Sequence, residues 1–109
     1  MFFCLRWFGR KYCLDELAEL RNKIDDVDEK IVGLLAERFR LIGEISKVKV
    51  KLKIPVVDVE REKQVLVRVK KLAQNHKVNA NLVEEIFKKI ISCCTRFEKT
   101  IRENEEKYQ

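Results

Sequence analysis

The sequence predicts an all-α chain of three helices, the first of them very long and in need of a second subunit to cover it. Three observations carry that expectation. Charged residues fill 39% of the positions while glycine and proline together fill four, a composition that favours long helices over sheets and loops. Apolar residues return every three or four positions along most of the chain, the spacing that lines one helix face. A chain of 109 residues makes one small domain, whose lone core buries only about two thirds of the unfolded surface, so a partner chain would add what the core lacks.

The first helix is expected over Leu14 to Leu52, where no proline occurs. A heptad-like stripe runs through Leu17, Leu20, Ile24, Val27, Ile31, Leu34, Leu41, Ile45, Val48 and Leu52. At about 1.5 Å per residue such a helix spans roughly 58 Å, against roughly 26 Å for the diameter of a compact chain of this size. The excess length requires a second subunit to cover the stripe. The preceding segment, MFFCLRWFGRKYC, is a poor signal peptide, because its apolar part is short, Arg6 interrupts it and no small-residue cleavage site follows. Residues 1–13 are read as an aromatic and basic arm on a domain spanning 14–109. An arm packed on the domain or its partner, a disordered start and a weak membrane contact all suit its composition.

Lys53 to Val57 breaks the first helix, since Pro55 restricts itself and the residue before it. Asp58 then stands where an N-cap belongs. A second helix follows from about Val59 to Asn75, with Val59, Leu66, Val69, Leu72 and Ala73 on one face. HKVNAN makes a turn in which Asn79 or Asn81 caps the third helix, with Glu84 placed to close a capping box on Asn81. That helix turns Leu82, Ile86, Phe87, Ile90, Ile91, Cys94 and Ile101 inward, and RENEEKYQ is expected to fray as a charged tail.

Composition also narrows the function. Four cysteines without zinc-type spacing, and a single histidine, His76, with no candidate ligand nearby, argue against a metal site. Adjacent Cys93 and Cys94 suit a reduced, cytoplasmic pair better than a disulfide framework. No apolar run approaches the length of a membrane span. The net charge of +6 points to an anionic partner without naming its class.

Each helix carries a charge inside its apolar face. Glu62 falls in the stripe of the second helix, and Glu98 follows Ile91 and Cys94 in the third. In the first, the seam Leu17, Ile24, Ile31, Ile45, Leu52 advances by sevens and skips one place, which is Arg38. Lys49, eleven residues after Arg38, lies about 20° from it around an ideal helix. Such a set is either a structural network, with Arg38 neutralising Glu62 and Glu98, or the polar part of a ligand pocket. Buried ion pairs seldom improve on apolar packing, and an apolar cavity with a few convergent polar groups is the usual form of a ligand site. Arg38 and Lys49 suit carboxylates or phosphates.

The run LAELRNKIDDVDEKIVGLLAERFRLIGEISKVKVKLKIPVVDVEREKQVL, with VEEIFKKIIS after it, resembles the all-helical class of chorismate mutase over Leu14 to Ile101. The resemblance implies an intertwined homodimer with two sites, each built from both subunits. It makes Arg21, Arg38 and Lys49 the cations of the site. Arg21 precedes Arg38 by roughly 26 Å along a straight helix, so the resemblance has it reach in from the partner. Asp58 matches the position whose backbone N–H binds substrate, a use of helix N-termini that suits anions. Arg61 supports the electrostatics, and Glu62 matches the carboxylate that accepts from the substrate's ring hydroxyl. Cys94 stands where the better-known members carry serine, and Glu98 where many carry glutamine.

The reaction so implied is the rearrangement of chorismate to prephenate in phenylalanine and tyrosine biosynthesis, with no cofactor. The site would hold the flexible dianion in its reactive conformer and stabilise charge developing on the ether oxygen, with Lys49 and Glu98 as donors to that oxygen and Arg21 and Arg38 on the carboxylates. An isochorismate-pyruvate lyase on the same fold is the near alternative. A basic helical dimer binding nucleic acid or a partner protein is the distant one, motivated by KVKVKLK. It leaves Glu62 and Glu98 in their seams unexplained, so no nucleic acid and no membrane is expected among the partners.

Overall fold

A computed structural model describes the backbone of residues 2–107 and the side chains of residues 14–107. Among these residues the chain is all-helical: α1 (Phe2–Leu52), α2 (Val59–Asn75) and α3 (Ala80–Lys107). Helix α1 starts at Phe2, so the backbone before Leu14 belongs to the same helix as the stripe from Leu17 onward. The side chains of residues 1–13, and with them the expectation of an aromatic arm, lie outside the described residues.

The chain divides into two units, Met1–Glu37 and Arg38–Gln109. In the first, Leu17, Ile24 and Ile31 stay 41%, 58% and 49% exposed, so a single chain leaves this part of the seam bare. The second unit contains the rest of α1 with α2 and α3. Its core holds Val65, Val69 and Ala73 of α2, Cys94 and Glu98 of α3, and Ser46 of α1. Phe39 and Phe97 meet edge to face with ring centroids 5.1 Å apart, the arrangement that opposes a ring's positive edge to another's negative face.

Sharp stops aim these helices. After α1, Lys53 turns to φ 58°, its N–H donates to the Val50 carbonyl at 3.2 Å and the Ile54 N–H to that of Lys49 at 2.8 Å. This paired closure satisfies carbonyls left over at a helix end, and Pro55 then prevents any restart. Helix α2 begins at Asp58, whose carboxylate accepts the Arg61 N–H at 3.0 Å. It ends in the same closure, with Lys77 at φ 57° and donation from Lys77 to Gln74 and from Val78 to Ala73.

The third helix starts at one of the two expected caps but departs from expectation in its capping box and at its C-terminal end. Asn79 is the cap, its Oδ1 accepting from the N–H groups of Asn81 and Leu82 at 2.9 and 3.2 Å. No box forms between Asn81 and Glu84, because Glu84 instead bridges Lys70 of α2 and Lys88. Nor does RENEEKYQ fray as a whole, since α3 continues to Lys107. Glu, Lys and Arg are strong helix formers, and Ile101, Arg102 and Glu105 are partly buried there. Leu82 and Ile86, expected inward, are exposed in the single chain.

Candidate active site

In the second unit the three helices enclose a cavity of about 400 Å³, within the usual size range of small-molecule sites. Helix α1 contributes Arg38, Leu41, Ile42, Ile45 and Lys49, which share a face by their three-and-four spacing. The α1–α2 connection gives Val56 and Asp58. Helix α2 gives Arg61, Glu62, Val65 and Arg68, and α3 gives Phe87, Ile91, Cys94, Thr95 and Glu98. Six of the seven residues expected in the site therefore line one space. The seventh, Arg21, is exposed on the first unit and is not part of this lining.

Lys49 is fixed on two sides. Its ammonium donates to the Val56 carbonyl at 2.7 Å and lies 3.0 Å from Glu98 Oε1 and 3.4 Å from Oε2. The side chains of Lys49 and Glu98 are only 16% and 5% exposed, so removing either would leave a charge buried alone. Arg38 donates from Nη1 to Cys94 Sγ at 2.8 Å. These contacts correct the simplest network, since Arg38 bonds Cys94 and Glu98 takes Lys49. Glu62 is half-buried and makes no ion pair among the described residues, although the lining also holds Arg38, Arg61 and Arg68.

Asp58 has two distinct functions available at one residue. Its carboxylate is used to cap α2, which leaves its backbone N–H at the positive end of the helix dipole, where anions bind. Chemically the cavity offers several positive donors, three acidic side chains beside them and apolar walls from Ile45, Val65, Phe87 and Ile91. It can hold a small anion against a mostly apolar surface and present a Lys and a Glu to one of its atoms.

Sequence reasoning did not single out Arg68 and Thr95 for this lining. Arg68 follows Arg61 by seven residues, two helical turns along the same face, and that spacing was the available clue. Thr95 had none beyond its place next to Cys94.

Known proteins place the chain in a family. The family model for chorismate mutase type II matches residues 20–99, a stretch that takes in every expected site residue from Arg21 to Glu98. The chain belongs to the chorismate mutase type II family. It is 42% identical over 78 residues to the chorismate mutase of Methanocaldococcus jannaschii, covering 72% of this chain and 79% of that protein. It is also 35% identical over 94 residues to the bifunctional chorismate mutase/prephenate dehydratase of Aquifex aeolicus, and 40% identical over 75 residues to that of Escherichia coli K12. These matches span 25% and 19% of the bifunctional proteins. The chorismate mutase type II match covers the cavity and the exposed part of α1 that carries Arg21.

Proposed function

We propose that this chain rearranges chorismate to prephenate in the cavity of its second unit, as an isomerase of aromatic amino-acid biosynthesis. The single observation that carries the mechanism is the Lys49–Glu98 pair, enclosed at 3.0 Å in a largely apolar pocket beside Arg38. The reaction forms a carbon–carbon bond and breaks a carbon–oxygen bond within one molecule. Its ether oxygen gains negative charge in the transition state, so donors aimed there lower the barrier. Lys49 is one donor, already oriented by Val56, and Glu98 is the other. Arg38 takes one substrate carboxylate, and the Asp58 N–H and Glu62 hold the polar groups at the far side of the ring. Confinement between Ile45, Val65 and Ile91 favours the compact conformer in which the reacting carbons are close.

Each site is completed by Arg21 of a second copy in a homodimer. Two features support a partner: the bare seam along Leu17, Ile24 and Ile31, and Arg102, whose Nε and Nη2 are buried with no hydrogen-bond partner among the described residues. The exposed stretch of α1 is also rich in Asp15, Glu16, Glu19, Asp25, Asp26, Asp28 and Glu29, which suits docking on the basic second unit of another copy. Among the described residues no helix is long and apolar enough to cross a membrane. Cys93 and Cys94 are both free thiols, which suits a reducing cytoplasm.

The test is to mix purified protein with chorismate, follow the loss of its absorbance and identify the product. Prephenate is expected. Inertness toward chorismate, with release of pyruvate from isochorismate, would refute the assignment in favour of the lyase.

A further inference from the structure

The cations around the cavity are not equally available. Arg38 is engaged with Cys94, and Lys49 with Val56 and Glu98. Arg68 lines the same cavity, yet its guanidinium makes no hydrogen bond or ion pair among the described residues. It is also exposed, and a residue that is both exposed and part of the lining stands at the rim. Outside the cavity Arg68 shares a shallow surface recess with Lys63 and Lys71 of α2, both exposed. The rim therefore continues into a positive helix face.

From this arrangement we infer that Arg68 is a substrate-binding residue at the entrance, which draws the chorismate dianion in along the Lys63–Lys71 face and pairs with one of its carboxylates. The inference rests on the activity proposed above and adds a residue to it. Positive charge at the mouth of a low-dielectric cleft raises the local concentration and the on-rate of an anion, and the effect weakens with salt. An Arg free of internal partners keeps both of its parallel donors for a carboxylate. Such a group acts on capture of the substrate. The chemical step belongs to Lys49 and Glu98.

The experiment is steady-state kinetics of the intact chain and of Arg68→Gln and Arg68→Lys on chorismate, at low and high ionic strength, with melting temperatures alongside. Arg68→Gln is expected to raise KM about tenfold, the scale of one charge-assisted hydrogen bond, with kcat within about twofold and an unchanged melting temperature. Arg68→Lys should recover the salt slope, because the charge remains, and only part of the KM loss, because an ammonium lacks the paired donors. Added salt should lower kcat/KM more steeply for the intact chain than for Arg68→Gln. An unchanged KM and salt slope in Arg68→Gln, with the intact chain active, would overturn the inference and leave the activity standing. A fall in kcat or melting temperature alone would assign Arg68 to the chemistry or to the fold instead. Absence of turnover in the intact chain would refute the activity, and this assignment with it.

Discussion

Glu98 combines two properties that pull in opposite directions. As an anion it balances Lys49 at 3.0 Å; as a donor to an ether oxygen it must carry a proton, since an ionised carboxylate only accepts. Glutamine donates at every pH. Glu98→Gln is therefore expected to keep or raise turnover, while Glu98→Ala, which leaves Lys49 without its partner and the oxygen without a donor, should lower it about a hundredfold. Turnover of chorismate by both variants checks this, and a Gln variant as impaired as the Ala variant would remove Glu98 as the donor. At this scale the sequence was informative wherever a charge broke an apolar rhythm, as at Arg38, Glu62 and Glu98. It was silent where a charge stood beside a solvated face, as at Arg68, because such residues are ordinary on a helix surface. The partners were beyond it too: periodicity places Arg38 and Lys49 on a face, but side-chain packing decides that one meets Cys94 and the other Glu98.

The elements show why boundaries were uneven in legibility. Helix α2 was readable to the residue because Pro55 and Asp58 announce its start and the turn around Lys77 its end. Helix α3 has no breaker after Ile101, so its continuation to Lys107 rests on propensity and partial burial, which a charged composition conceals. Both helix ends at Lys53 and Lys77 use a left-handed residue without using glycine, and a side chain there costs about 1 kcal/mol. Lys77→Gly is expected to raise stability by about that amount, read as a shift of the denaturation midpoint, provided that the closure onto Gln74 and Ala73 is kept. Between α2 and α3, the Lys70 ammonium holds the Glu84 carboxyl below its ordinary value, with Lys88 adding to the effect against partial desolvation. A carboxyl depressed in the folded state stabilises the fold above its unfolded value and loses that contribution as pH falls through the depressed one. Glu84→Gln should therefore lower the melting temperature at neutral pH, and the gap from the unsubstituted chain should close on acidification. A constant gap would mean that this bridge contributes nothing through charge.

For the molecule as a whole, the long first helix, the bare seam in its first unit and a cavity confined to the second support the proposed arrangement, in which residues 38–98 of one copy supply most of the site and Arg21 of another finishes it. The all-α architecture was readable from sequence because it follows from helical periodicity, which also turned Arg38, Lys49, Glu62 and Glu98 toward one interior, whereas the places of Asp58 and Cys94 in the lining rested on the family resemblance. A covering partner was readable only as a need, since a stripe says that something covers it without saying what. Arg21→Ala and Arg38→Ala dimers should each be inactive, for each removes one cation from both sites. In a mixed dimer, one site loses both arginines and the other keeps both. Mixing the two variants, with subunit exchange verified by a tag on each, measures this directly. Recovery of chorismate rearrangement in the mixture is the expected result; verified exchange with no recovery would contradict a site shared between two copies.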